Sequence, residues 1–297
     1  MTKKILITGA NGQLGHEMRN ALKGNNRFEC IFTDVAELDI CNAEAVKQTI
    51  ADNHIDYIVN CAAYTQVDKA EDNAELCRKI NTDAVENLAR AAATYGARMI
   101  HISTDYVFNG RGYRPYTEAM TPDPQSVYGS TKLEGEKILT DICPESIIIR
   151  TAWLYSPYGN NFVKTMLHLG KEREELSVVS DQIGTPTCAA DLAQAILVIL
   201  QADTFVPGTY HFSDEGACSW YDFTVTIHRL AGITTCRVTP IRSDEYPSKA
   251  HRPFYSVLDK SKIKKTYGLT IPHWYESLSN CIMKLRKECN LLEMSVG

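Results

Sequence analysis

Lys4-Ile-Leu-Ile-Thr8, followed at once by Gly9-Ala-Asn-Gly12-Gln-Leu-Gly15, decides the fold. An apolar run of strand length breaks into GxxGxxG and then into a helical pattern. Each glycine has its own task in such a turn. Gly9 permits the tight bend, Gly12 lets the backbone approach a pyrophosphate, and Gly15 lets the helix pack on the strand. The helix N-terminus then turns its free N–H groups towards the phosphates. Glycines alone would describe any tight turn in an α/β protein. Strand–turn–helix context makes them a dinucleotide-binding signal.

Outward from this stretch, Phe28–Thr33 reads as a second strand with Asp34 at its end. An acid at that place hydrogen-bonds an adenosine ribose and disfavours a 2′-phosphate; a plain turn residue is the competing reading. Asp39-Ile40 follows in a loop where an aspartate can meet the adenine. Further strands are expected at Asp56–Asn60, Arg98–Ile102 and Glu145–Arg150, alternating with helices over 42–53, 74–95 and 128–141. Asn42 is a fitting N-cap and Gly96 a fitting stop. Regular alternation of this kind specifies an α/β fold with a doubly wound (Rossmann) parallel sheet. Ligands bind such sheets at the carboxyl ends of the strands. Cys61-Ala-Ala-Tyr-Thr65 and Ser103-Thr104-Asp105 occupy those ends, and a long Gly/Pro/Tyr/Arg loop over 106–125 has the length of a functional one.

Tyr128 and Lys132 stand at i and i+4, on one face of the expected helix. A phenol titrates near pH ~10, and an ammonium close by favours its anion and lowers that value. The pair is thus an acid–base catalyst if a substrate reaches it. By itself YxxxK equally describes two solvated residues of an amphipathic helix. The strand-end motifs give it weight.

Past Thr151 the pattern changes. Helices are expected over 162–172, 189–201, 219–231 and 273–289, with strands over 176–180, 208–212 and 237–239. Residues 1–152 read as the NAD(P)-binding domain, with 184–213 returning to it. Residues 153–183 and 214–297 read as a smaller α/β substrate-binding region over the sheet edge.

A net charge of −5 argues against a nucleic-acid partner. No apolar run is long enough to span a membrane and no signal peptide is present, so a cytoplasmic location is expected. The ten cysteines are scattered without a CxxC pair, which points to reduced thiols and to no metal site.

Together these motifs resemble the extended short-chain dehydrogenase/reductase family, over nearly the whole chain. The resemblance is carried by GxxGxxG, Asn60-Cys-Ala-Ala63, Val67-Asp-Lys-Ala-Glu71, Ser103-Thr-Asp-Tyr-Val-Phe108 and Val127-Tyr-Gly-x-Thr-Lys-Leu-x-Gly-Glu136. Arg150-Thr-x-Trp153, Gly159-Asn-Asn-Phe162 and Arg252-Pro253 complete it. It implies reduction, by NADH or NADPH, of the C4 ketone of a dTDP-linked sugar. Tyr128 would give the proton, Lys132 would tune it and hold the nicotinamide ribose, and Thr104 would orient the carbonyl. Gly9, Gly12, Gln13, Leu14, Asp34, Asp39 and Ile40 would hold the cofactor, with Ala62, Ala63, Tyr64, Thr65, Tyr128 and Lys132. Thr104, Asp105, Trp153, Asn161 and Arg252 would meet the substrate. Trp153 would offer an apolar face, with a core tryptophan as the rival reading. Arg252 would clamp a diphosphate through two N–H groups, with a solvated surface arginine as its rival.

Some members of the family dimerise through a carboxylate-bound metal. Glu17 stands where one ligand is expected, but Cys188-Ala189-Ala190 offers no acid before Asp191. A monomer or a weak homodimer is therefore expected. Two other readings compete: a nucleotide-sugar epimerase or dehydratase, and a non-catalytic NAD(P)-binding regulatory subunit. Asp105-Tyr106 after Thr104 does not supply a dehydratase's Asp-Glu pair, and an intact Thr104, Tyr128 and Lys132 set argues for an enzyme.

Overall fold

Strand β1 (Lys3–Thr8) alternates Ile5 and Ile7 on one face with Leu6 on the other, all fully buried. A strand buried on both faces needs a helical layer on each. In this computed structural model, which describes residues 2–294 and side chains as far as 287, both layers are present. Met1, residues 295–297 and the Cys289 side chain lie outside the described residues. Behind Ile5 and Ile7 pack Leu14 and Met18 of the helix Gln13–Leu22, with Leu192 and Ile196 of the helix Ala189–Gln201. Behind Leu6 pack Val46 and Ile50 of the helix Ala43–Asn53, Leu88 of the helix Ala84–Tyr95, and Leu139 of the helix Val127–Ile142.

Strands β2 (Phe28–Thr33), β3 (Tyr57–Asn60), β4 (Arg98–Thr104) and β5 (Ile147–Thr151) join β1 and the strand Gly208–His211 in a six-stranded sheet. Every pairing is parallel, and the spatial order is Gly208–His211, β5, β4, β3, β1, β2. The chain leaves β1 for β2 on one side and returns to β3 on the other. That reversal opens a crevice above the carboxyl ends of β1 and β3, where this architecture binds ligands.

One expected helix is interrupted, and one helix was not expected. The long helix over 74–95 is interrupted: Ala74–Arg78 passes through a π-helical turn, Lys79–Asp83, before Ala84–Tyr95. The turn's Asn81 leaves the helical pattern to bond Tyr64 in both directions, accepting its N–H at 2.9 Å and donating to its carbonyl at 3.1 Å. A helix not foreseen, Ser261–Tyr267, places Ile263 in the core under the sheet, next to Ile271. That segment therefore packs with the sheet rather than with the region over it.

The rest of the chain after Thr151 builds a separate core of Val163, Met166, Leu176, Phe223, Ile227 and Leu278. It is tied together by two-stranded pairings: Glu175–Val179 with Arg237–Ile241, Leu154–Tyr155 with Thr187–Cys188, and Ile183–Gly184 with Cys218–Ser219. Among the described residues no helix is long and apolar enough to cross a membrane.

Candidate active site

The first turn is built as its glycines require. Gly9 has φ +64°, and a Cβ there would lie 2.7 Å from the backbone nitrogen of Ala62. At Gly15 a Cβ would lie 2.4 Å from the carbonyl of Gly9. The absence of side chains thus brings β1, its helix and the end of β3 into contact. Above them a cleft of about 560 Å³ is lined by Gly9, Gly12, Asp34, Asp39, Ile40 and Ala62, with Ala63 beside them. Asp34 accepts the N–H groups of Asn11 and Val35 at 2.9 Å, which orients its carboxylate at the end of β2. Val35, Leu76 and Lys79 complete the walls. Leu76 on the helix Ala74–Arg78 and Lys79 at the start of the π-turn were not foreseen as wall residues.

A second cleft of about 510 Å³ starts at the same glycine turn and runs along the ends of β3, β4 and β5. It gathers Gln13, Leu14, Thr65, Thr104, Tyr128 and Lys132. Asp105, Trp153, Asn161 and Arg252 line its far side. Of the residues picked out in the sequence, Tyr64 alone lies on neither cleft; its backbone is tied to Asn81. Tyr106, Val67 and Trp220 are in the wall and were missed. No spacing rule links them to the rest; only the tertiary fold does.

The helix Val127–Ile142 is pinned by its cap and by one buried ion pair. Ser126 accepts the Gly129 N–H at 3.1 Å. Glu136 accepts from Arg150 on β5 at 2.9 and 2.6 Å and from Ser103 on β4, all buried. A bidentate pair of this kind fixes direction as well as distance, so Tyr128 and Lys132 are held in register with the strand ends.

Burial dominates the titration of this pair. Burial pushes the Tyr128 phenol well above its ordinary value, only partly offset by hydrogen bonding with Thr104. Lys132 Nζ donates to the Ile102 carbonyl at 2.6 Å and lies 3.2 Å from His101 Nε2. Burial lowers Lys132 itself to about 8. Asp105 is pushed up to about 6, again chiefly by burial. Thr104 donates to Asp105 at 3.0 Å and caps the short 3₁₀ turn Asp105–Val107 by accepting the Tyr106 N–H.

Arg252 is no solvated surface arginine. It forms an ion pair with Asp68 and donates to Tyr106 Oη at 3.3 Å and to Ser248 Oγ at 3.2 Å. Trp153 is a wall residue with strain. Its φ of +48° lies in the left-handed region, which non-glycine residues seldom adopt away from functional sites. Its ring stacks on Trp220, centroids 3.4 Å apart and planes 9° from parallel. A Cβ on Gly184 would strike that ring at 2.6 Å, so a glycine is needed behind it. Asn161 is bonded within the protein: its amide donates to Gln13 at 3.0 Å and to Ser156 at 2.8 Å, while Oδ1 caps the helix Phe162–Glu172 through the Lys164 N–H.

The comparisons with known proteins agree with this geometry. Residues 3–287 match the family model described as the RmlD substrate binding domain. The chain is 41% identical to the dTDP-4-dehydrorhamnose reductase of Aggregatibacter actinomycetemcomitans, over 93% of this chain and 97% of that one. Its structure is similar to that of the dTDP-4-dehydrorhamnose reductase from Clostridium acetobutylicum, at a TM-score of 0.91 and 48% identity over 95% and 99% of the chains. It is equally similar to the Bacillus anthracis dTDP-4-dehydrorhamnose reductase solved in complex with NADP, at 0.92 and 40% over 96% and 100%. With one family model spanning both clefts and both cores, this chain belongs to the RmlD family, that of the dTDP-4-dehydrorhamnose reductases.

Proposed function

We propose that this protein uses NADH or NADPH to reduce the C4 ketone of dTDP-4-dehydro-β-L-rhamnose to the alcohol, the last step of dTDP-L-rhamnose synthesis. The observation that carries the reading is the single cleft in which Thr104, Tyr128, Lys132 and Arg252 meet beside the glycine turn. A reduced nicotinamide supplies the hydride. The backbone at Gly9 and Gly12, which a Cβ would crowd, would face the pyrophosphate, and Asp34 would accept from the adenosine ribose. Asp34 and Asp39 stand in the same cleft as Lys79, which supports acceptance of either coenzyme.

Addition of hydride at a carbonyl carbon leaves an alkoxide, which takes a proton. Tyr128 gives it: burial keeps the phenol protonated, the form a donor needs. Thr104 turns its hydroxyl from Asp105 to the carbonyl oxygen. Arg252, already steered by Asp68 and Tyr106, uses its remaining N–H groups on the diphosphate. The stacked Trp153 and Trp220 give the sugar an apolar wall. In this reading residues 153–183 and 214–297, the segment around Ile263 apart, form the substrate-binding region. The enzyme works in the cytoplasm on a small-molecule dTDP-sugar, as a monomer or weak homodimer, without a nucleic-acid or membrane partner.

A coupled assay tests the reading. The upstream dehydratase and epimerase convert dTDP-glucose to the keto-sugar, and oxidation of NADH or NADPH is followed by absorbance. Oxidation should require both upstream enzymes and yield dTDP-rhamnose. Tyr128→Phe should lose about 10²- to 10⁴-fold in turnover with cofactor affinity retained. Oxidation by the wild type without the keto-sugar, or full turnover by the variant, would overturn it.

A further inference from the structure

His101 lies on β4, fully buried, with Lys132 at one ring nitrogen and Asn60 at the other. Its bonding has a single consistent polarity. Asn60 Oδ1 accepts the Ala62 N–H at 3.2 Å and the Thr8 hydroxyl at 2.6 Å. A backbone N–H only donates, so the amide cannot be turned over and its nitrogen faces His101 Nδ1 at 3.0 Å. An amide nitrogen also only donates, so Nδ1 accepts and bears no proton. Burial and the charge of Lys132 hold the ring well below its ordinary value, so it is neutral and its one proton sits on Nε2. That N–H points at Lys132 Nζ, 3.2 Å away. An ammonium has no lone pair to receive it; a neutral amine has one.

We infer that His101, locked as the Nε2–H tautomer by Asn60, is a positioning residue that donates to Lys132 and favours its neutral amine over its ammonium. Lys132 is then a titrating member of the site, and its protonation is set from the strand behind it as well as from its own helix. The groups facing it are few. Tyr128 and Glu136 lie on its own helix, Cys77 comes from the helix Ala74–Arg78, and His101 comes from β4. Glu136 is occupied by Arg150 and Ser103, which leaves His101 as the polar side chain hydrogen-bonded to Nζ.

The consequence for rate rests on the reductase reading above. The ammonium is the form that assists the phenol and holds ribose hydroxyls, so kcat/KM falls as pH rises through the Lys132 value, near 8. His101→Leu removes a hydrogen bond to the neutral form and should move that alkaline limb upward by about half to one pH unit. His101→Gln, which returns an amide N–H to the Nε2 side, should bring it back. A limb that stays in place in a folded, active His101→Leu enzyme would overturn the proposal.

A second measurement needs neither activity nor a variant that folds well. ¹⁵N-histidine NMR of the wild-type protein between pH 6 and 9 should show the His101 ring with a protonated Nε2 and a bare Nδ1 throughout. A proton on Nδ1, or a doubly protonated ring, would overturn the inference. Failure of the reductase reading shows instead as no keto-sugar-dependent oxidation, with the ring signals unchanged.

Discussion

The cleft proposed for the cofactor and the one proposed for the substrate share the glycine turn but are made of different material. The first rests on main chain where it meets the glycine turn: two glycines, the ends of β1 and β3, and the N–H groups that orient Asp34. It depends on side chains that are absent. The second is made of side chains that are present, drawn from segments far apart: Thr104, Tyr128, Trp153, Trp220 and Arg252. These hold one another, as Arg252 is held by Asp68 and Tyr106 and Trp153 by Trp220. A backbone site follows from a few contiguous residues, because turn geometry is local. A side-chain site exists only when the whole chain has folded. Substitutions should therefore act differently in the two.

The largest effect is expected at Gly9. Alanine there meets both the +64° φ and the Ala62 backbone at 2.7 Å, neither of which a rotamer can relieve. A residue forced into a left-handed conformation costs about 1–3 kcal/mol, up to about a 100-fold loss of cofactor affinity. Cofactor titration by fluorescence measures it. An unchanged affinity would mean that the turn does not hold the cofactor through its backbone, and the contrast between the clefts would fail.

Arg252→Ala should act on the other cleft alone. The loss of charge-assisted hydrogen bonds to a diphosphate is worth about 1.5–3 kcal/mol, or about 10- to 100-fold in KM for the keto-sugar. Cofactor affinity should stay as it was, and kcat should fall less than KM rises. An equal fall in kcat with KM unmoved would place Arg252 outside the substrate's reach.

This contrast also explains what could be read from the sequence. The doubly wound sheet was legible because strand, glycine turn and helix recur in order. The cleft proposed for the cofactor was legible in Gly9, Gly12, Asp34, Asp39 and Ile40, which line it at the strand ends. Catalytic candidates at the ends of β4 and on the following helix were legible for the same reason. Tyr106, Trp220 and Lys79 were not, since a 3₁₀ turn, a distant helix start and a π-turn bring them in. The Tyr128–Lys132 spacing was legible, but its electrostatics were not. An i,i+4 rule reports proximity along a helix and is silent about the strand behind it, where Ile102 and His101 take up the Lys132 amine.

Asn161 tests the finest part of the comparison, and the effect should be the smallest. It lies on the substrate cleft, and sequence reading places it among the residues meeting the sugar nucleotide. Its polar atoms already have partners within the protein: Nδ2 serves Gln13 and Ser156, and Oδ1 caps a helix. Asn161→Ala should cost about 1 kcal/mol of stability from the lost cap, read as a fall in thermal midpoint. KM for the keto-sugar should change less than in Arg252→Ala. Because Gln13 opens the helix behind the glycine turn, the lost bridge should register in both clefts as a small loss of affinity, rather than in one as a large loss. A tenfold rise in KM with cofactor affinity and stability unmoved would restore Asn161 to direct contact with the substrate.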